Sequence, residues 1–446
     1  MALPTPAHSE ASTRSTGDDR ESLVRVIGTL GLAAGIINIT IGGGIFRLPG
    51  SIAGLLGPAA PIAYVVCAVA MSLIVLCIAD AGRRVSLTGG PYAYVGTAFG
   101  SYVGFLSGVL LWMLGTFATA AVSTILASNV MLLLVRPTPM VGRAVEIGVL
   151  VVAIVFWAIV NLRGVTIGVR LNTIATIAKL APLLLIAIGG AFFVDPENLR
   201  VTSANMPAAA TVARTSLLLI FAFAGIECAL VPSGEVRDSA RTVPRAIALA
   251  MVGITLLYIA LQIVAQGILG ARLAHATNAP LAEAAGASLG GWASTLLLFG
   301  AAVSMFGYLG GMTLSMPRML FALARDGFLP RALARVDPIH RVPQMAIVVQ
   351  MFITIVLAIS GTFEKLAILA NVSALALYFG CALAAWRLRQ ADPASRGGVG
   401  AIVPWLACAV ILWLLTGLNR YEWLAFGGAL ATASLLYAIV MSRKRV

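Results

Sequence analysis

Residues 28–50 read GTLGLAAGIINITIGGGIFRLPG, an apolar run broken near its middle by three consecutive glycines, Gly42, Gly43 and Gly44. The run is long enough to cross a hydrocarbon core as a helix, which takes about 20 residues. Glycine is worse than alanine in a helix interior by about 1 kcal/mol per residue, and Phe46, Arg47 and Pro49 follow the three at once. The stretch therefore predicts a membrane helix with an unwound middle. At membrane depth, non-helical backbone is tolerated only where it is buried in protein or lines a cavity.

A weaker copy of the interruption lies in the sixth apolar run, at Phe223-Ala224-Gly225-Ile226-Glu227. Five spans separate the two, so the second copy would sit upside down relative to the first. Paired interruptions at matching positions of two halves point to a transporter binding site. A half-helix N-terminus aims free N–H groups and a positive dipole end into the gap, which suits a carboxylate. A half-helix C-terminus presents free carbonyls, which suit an ammonium group. One pair of broken helices thus offers partners to both ends of an amino acid.

Composition agrees with lipid as the solvent. Of 446 residues, 60% are apolar and 11% charged, against about 45–50% and about 25% in soluble domains. Twelve apolar runs start near residues 28, 58, 99, 145, 168, 212, 246, 292, 342, 364, 400 and 421. The third and eighth exceed thirty residues and should tilt or extend beyond the bilayer. The helices share one core, so residues 23–446 form a single domain, after a polar tail over residues 1–22 with no apolar signal segment. The weak repeat would span about residues 28–200 and 211–390, leaving the last two apolar runs at about 400–443 outside it.

The net charge of +13 does not mark a nucleic-acid binder, because the basic residues sit in the short connections between apolar runs. With both termini in the cytoplasm, 21 of the 30 Lys and Arg fall on the inner side and 7 on the outer, Arg47 and Lys179 remaining at membrane depth. That asymmetry is the positive-inside pattern and predicts a multi-pass protein of the cell membrane. The five cysteines lie inside apolar runs with no CxxC, and the three histidines lie in the tail or in loops. Metal sites, disulfides, cofactors and a membrane-embedded histidine relay are therefore not expected. A membrane enzyme would need clustered His, Asp or Cys at one interface, a channel a re-entrant filter segment, and an ATP-driven pump a Walker A sequence. None is present.

Two ionisable residues lie deep in the runs, Lys179 in the fifth and Glu227 just past the break in the sixth. Each costs about 2.5–3.5 kcal/mol or more at the bilayer centre, which makes it a functional candidate by default. Asp80 and Arg47 lie nearer helix ends or the cavity and carry less weight.

Four stretches resemble one known family. Ile41-Gly-Gly-Gly-Ile-Phe46 looks like the first-helix motif of the amino acid–polyamine–organocation (APC) permeases. Residues 86–94 (SLTGGPYAY) are similar to that family's loop before helix three, and residues 234–245 (GEVRDSARTVPR) to its loop after helix six. Residues 318–330 (RMLFALARDGFLP) match its cytoplasmic extension of helix eight. The resemblance implies an all-α membrane fold of the LeuT type, two inverted five-helix repeats plus two helices, twelve in total. It further implies that Ile41, Gly42, Gly43, Gly44 and Ile45 hold a substrate carboxylate. Phe221, Ala222, Phe223 and Gly225 would hold the amino group or close over the side chain, and Met312 in helix eight would line the side-chain pocket. Phe221 falls where some arginine exchangers of the family carry a tryptophan gate. Several proton-coupled members place a lysine where Lys179 stands, at a spot where sodium-driven relatives bind a cation between helices one, five and eight. The expected function is alternating-access transport of L-amino acids with neutral side chains, coupled to protons and independent of sodium, with Lys179 and Glu227 in the coupling. The alternative is an exchanger of cationic amino acids or of amino acids against polyamines.

Overall fold

The computed structural model describes residues 27–85, 90–134, 139–163, 179–202, 206–230, 236–276, 279–361, 363–391, 399–418 and 420–444. Outside them lie the expected tail over residues 1–22, residues 86–89 and 234–235 of two of the motifs, and residues 168–178 at the start of the fifth run. Among the described residues the regular secondary structure is helical, apart from an isolated bridge between Ile27 and Val236.

The first run is two helices, α1 (Thr29–Thr40) and α2 (Gly44–Leu56), and α2 continues through a short turn into α3 (Ala60–Arg84). A short α4 (Pro91–Phe99) precedes the long α5 (Ser101–Leu134), followed by α6 (Pro139–Leu162) and α7 (Lys179–Phe193). The sixth run also divides, into α8 (Ala209–Phe223) and a single turn, α9 (Ile226–Ala229). Then come α10 (Ser239–Leu269), α11 (Pro280–Leu289), the 35-residue α12 (Gly291–Arg325), α13 (Gln344–Ser360), α14 (Phe363–Gln390), α15 (Val403–Leu415) and α16 (Arg420–Lys444).

Seven helical stretches of the described residues are long and apolar enough to cross a bilayer, among them Gly44–Arg84, Ser101–Met131 and Gly291–Arg325. Five shorter apolar helices accompany them, including Thr29–Thr40 and Lys179–Phe193. Large apolar side chains such as Val69, Val152, Leu256 and Phe352 are more than half exposed. A water-soluble surface seldom carries such residues in contiguous patches, and a lipid-facing one is built from them. The chain is a multi-pass membrane protein.

Residues 91–99 and 280–289 fold as separate helices, which the apolar-run reading did not anticipate. Each begins with proline, Pro91 or Pro280, and each hands over to a long helix through a glycine with positive φ, Gly100 at +88° or Gly290 at +97°. Proline at the first helical position costs no hydrogen bond, since that N–H has no partner inside the helix. The two short helices thus precede the third and eighth apolar runs in the same way. At the core, α5 packs against α12 and α14, while α10 packs against α1 and α3.

Candidate functional site

The three glycines stop α1 before its last carbonyls are used. In a continuous helix the N–H of Gly42 would bond to the carbonyl of Asn38; instead it donates to Thr40 O at 2.8 Å. Ile41 leaves the helix at φ −77°, ψ 77°. The freed carbonyls are buried, so each needs a donor from elsewhere. Lys179 supplies two: its Nζ donates to Asn38 O at 2.6 Å and Ile41 O at 2.7 Å. Ser304 of α12 donates its hydroxyl to Ile41 O at 2.8 Å, and Asn38 Nδ2 donates to Gly307 O of the same helix at 2.7 Å. The end of α1 is thereby tied to α7 and α12. Lys179 is fully buried and does not snorkel to a membrane surface.

The second break follows the same logic. Ala224 turns out of α8 at ψ 150°, and Gly225 adopts φ +126°, a region that side chains rarely enter. A Cβ on Gly225 would also lie 2.7 Å from Ile39 Cγ2. Glu227 folds back across the gap, its Oε1 accepting the Gly225 N–H at 2.8 Å and its Oε2 the Tyr378 hydroxyl of α14 at 3.0 Å. Tyr258 of α10 joins the two breaks. Its hydroxyl lies 3.1 Å from Thr40 O and 3.0 Å from Ala222 O, one carbonyl from each interrupted helix, and its ring meets Phe223 edge-on at 5.0 Å.

Between the breaks lies a small cavity of about 20 Å³, room for about one water. Gly42, Gly43 and Gly44 line one side, and Phe221, Gly225 and Glu227 another. Leu114, Ala118 and Val122 of α5 and Tyr308 and Met312 of α12 complete the wall. The other expected site residues stand behind it. Ile41 and Ala222 contribute the carbonyls held by Lys179 and Tyr258. Ile45 is buried in the core, and Phe223 packs on Tyr258. Gly44 has a second role: a Cβ there would lie 3.0 Å from Ala222 Cα, so this glycine is where α2 and α8 touch. Sequence reasoning did not single out Tyr258, Tyr378, Ser304 or Asn38. The available signal was a polar atom inside an apolar run, which by itself names no partner.

The profile of the family described as "Amino acid permease" matches residues 27–441. The chain belongs to this family. The permease is 26% identical over 450 residues to the methylthioribose transporter of Bacillus subtilis (strain 168), covering 97% of its own chain and 96% of that relative. It is 28% identical over 358 residues to the serine/threonine exchanger SteT of the same organism, 77% of the permease and 78% of the relative. The branched-chain amino acid permease BcaP, also from B. subtilis, is 26% identical over 420 residues, covering 90% and 89%. Both breaks and the cavity between them fall inside the matched region.

Proposed function

We propose that this permease is a secondary transporter of L-amino acids with neutral side chains, working by alternating access in the cell membrane with both termini in the cytoplasm. The observation that carries the proposal is the pair of helix breaks facing one another across the cavity. The amides at the start of α2 offer a carboxylate its partners, and the carbonyl ends of α1 and α8 offer an ammonium group its own. Glu227 is the one charged side chain lining the cavity among the described residues, and it already accepts two hydrogen bonds. The remaining wall is largely apolar, which favours neutral over cationic side chains. The cavity is too small for an amino acid, so the described conformation is closed and transport requires the breaks to separate.

The same reading takes the fold as twelve spans, with two inverted five-helix repeats over about 28–200 and 211–390 and two added helices. The matching entries to α5 and α12 through Pro91–Gly100 and Pro280–Gly290 support it, as does the pairing of the breaks. Coupling follows from Lys179. A sodium ion between α1, α7 and α12 would need the carbonyls of Asn38 and Ile41, and the lysine Nζ holds both. Transport is therefore sodium-independent, and Glu227, buried beside the cavity, carries the coupled proton.

The test is uptake and counterflow in proteoliposomes against a panel of amino acids, with the pH and sodium gradients set separately. Methylthioribose, which has neither an amino nor a carboxylate group, and a polyamine belong in the panel. Neutral amino acids should accumulate with an inward proton gradient and no sodium. Transport restricted to methylthioribose, or counterflow confined to cationic substrates, would overturn the proposal.

A further inference from the structure

Five buried polar atoms with no hydrogen-bond partner among the described residues lie along one route from the end of α10 to the helix breaks. They are Gln266 Oε1, both side-chain polar atoms of Gln262, the Tyr64 hydroxyl and Thr40 Oγ1. Each of the four residues is 3% exposed or less. Gln262 is unpartnered at its oxygen and its nitrogen alike, so turning the amide over changes nothing. A buried polar atom left unpaired costs about as much as a lost hydrogen bond, and leucine would fill the same place at no such cost. Packing alone therefore gives no reason for the two glutamines.

Tyr258, Gln262 and Gln266 follow one another at four-residue steps along α10, which sets them on one face about 6 Å apart. One water with two hydrogen bonds of about 2.8 Å spans such a step. Toward the end of α10, Gln266 Nε2 donates to Gly270 O at 3.3 Å, and the half-buried Asn198 donates to Gly267 O at 2.7 Å. Gln266 thus stands one layer beneath the surface. Toward the breaks, Tyr64 of α3 comes within electrostatic reach of Tyr258, whose hydroxyl lies 3.1 Å from Thr40 O. Thr40 in turn lines the small cavity together with Glu227. Buried polar groups that protein does not satisfy are satisfied by ordered water, and amides and hydroxyls both donate to water and accept from it. We propose that a row of internal waters runs along this face of α10, from the outer surface to the cavity, and supplies Glu227 with its proton while the breaks stay closed. A proton enters at the outermost water, each water passes one to the next, and the Glu227 carboxylate takes one up. The glutamine amides hold the waters and stay unchanged. Facing Glu227 among the described residues are Cys228, Tyr308, Tyr378 and Cys381, and Tyr64, Cys67 and Tyr258 stand along the row. Thiols and phenols keep their protons at neutral pH, so none of them competes with the carboxylate. The proton's destination and the outer end rest on the transport reading above; the waters do not.

The experiment is X-ray hydroxyl-radical footprinting of the full-length protein in detergent, which oxidises buried side chains where a bound water lies beside them. After correction for intrinsic reactivity, Tyr64 and Tyr258 should be oxidised well above Phe105, a similarly buried ring packed among other aromatic rings. Gln262→Leu should bring both down to the Phe105 level, while Gln262→Asn, which keeps an amide, should retain most of the labelling. In proteoliposomes, uptake of L-serine or L-leucine driven by an inward proton gradient should fall about tenfold in Gln262→Leu, the scale of one hydrogen bond lost from a transport step. Counterflow at equal pH, which needs no net proton movement, should be unchanged. Wild-type oxidation of Tyr64 no higher than that of Phe105, or oxidation unaltered in Gln262→Leu, overturns the inference. Gradient-driven uptake that is unchanged, or that falls only as far as counterflow does, overturns it as well. Should the wild type carry neither amino acid, the transport reading fails, and the footprint by itself still decides whether the waters are there.

Discussion

Lys179, Tyr258 and Glu227 each answer a need created by a broken helix, and each need differs. Lys179 donates to two carbonyls of α1, one of which, Ile41 O, also has Ser304. Lys179→Ala therefore leaves Asn38 O short of this donor, and an unsatisfied buried group costs about 1–3 kcal/mol. Proteoliposome uptake should fall at least about tenfold while the protein still elutes as a single species; near-normal uptake would remove the lysine from the mechanism. Tyr258→Phe keeps the ring against Phe223 and removes only the hydroxyl. The Ala222 carbonyl loses its donor, so KM should rise by about tenfold with the folded state intact, and an unchanged KM would contradict the bridging role. Glu227 accepts from both Gly225 and Tyr378, and Glu227→Gln retains the shape while removing the titrating group. Uptake measured between acidic and neutral outer pH should become flatter, with substrate affinity less affected. A wild-type pH profile in that variant would leave Glu227 a structural residue.

Between elements, the decisive distances are those separating the interrupted helices. A Cβ on Gly44 would lie 3.0 Å from Ala222 Cα and 3.2 Å from its Cβ, whereas one on Gly43 would meet Ile125 Cδ1 at 3.4 Å and Met305 Cε at 3.7 Å. The two glycines are adjacent, yet only the first of these contacts is with backbone. Gly44→Val should force α2 away from α8 and abolish amino acid binding measured by melting shift, while Gly43→Ala should retain it. Equal loss in both would mean that the cavity volume, and not the helix contact, sets the requirement. Gly225 is constrained differently: its φ of +126° costs a side chain about 1–3 kcal/mol of backbone strain before any clash with Ile39 is counted. Gly225→Ala should accordingly lower the melting temperature as well as binding.

At the scale of the whole molecule, orientation is the property open to direct test. The five native cysteines are buried, so a membrane-impermeant thiol reagent meets little background. Lys365 at the start of α14 and Ser442 near the end of α16 are both exposed, and the charge asymmetry puts them on opposite sides. In right-side-out vesicles Lys365→Cys should be labelled and Ser442→Cys protected; the opposite pattern would invert the topology. The membrane class, the order of the apolar runs and both helix breaks were legible in the amino-acid sequence. Hydropathy and glycine content act over a single turn or a single span, so they can be read without knowing what packs where. The short helices α4 and α11 were not legible, because ten residues or fewer of mixed polarity do not stand out beside a long apolar run. Nor could the partners of the breaks be read. Lys179 reaches Asn38 across 141 residues, Glu227 reaches Tyr378 across 151, and Tyr258 reaches Thr40 across 218. The sequence thus determined where the backbone would come unpaired, a local consequence of glycine. Which side chains satisfy the freed carbonyls was decided by tertiary packing alone, because any polar residue on a neighbouring helix could have served and only the arrangement of the bundle brings these ones within 3.1 Å or less.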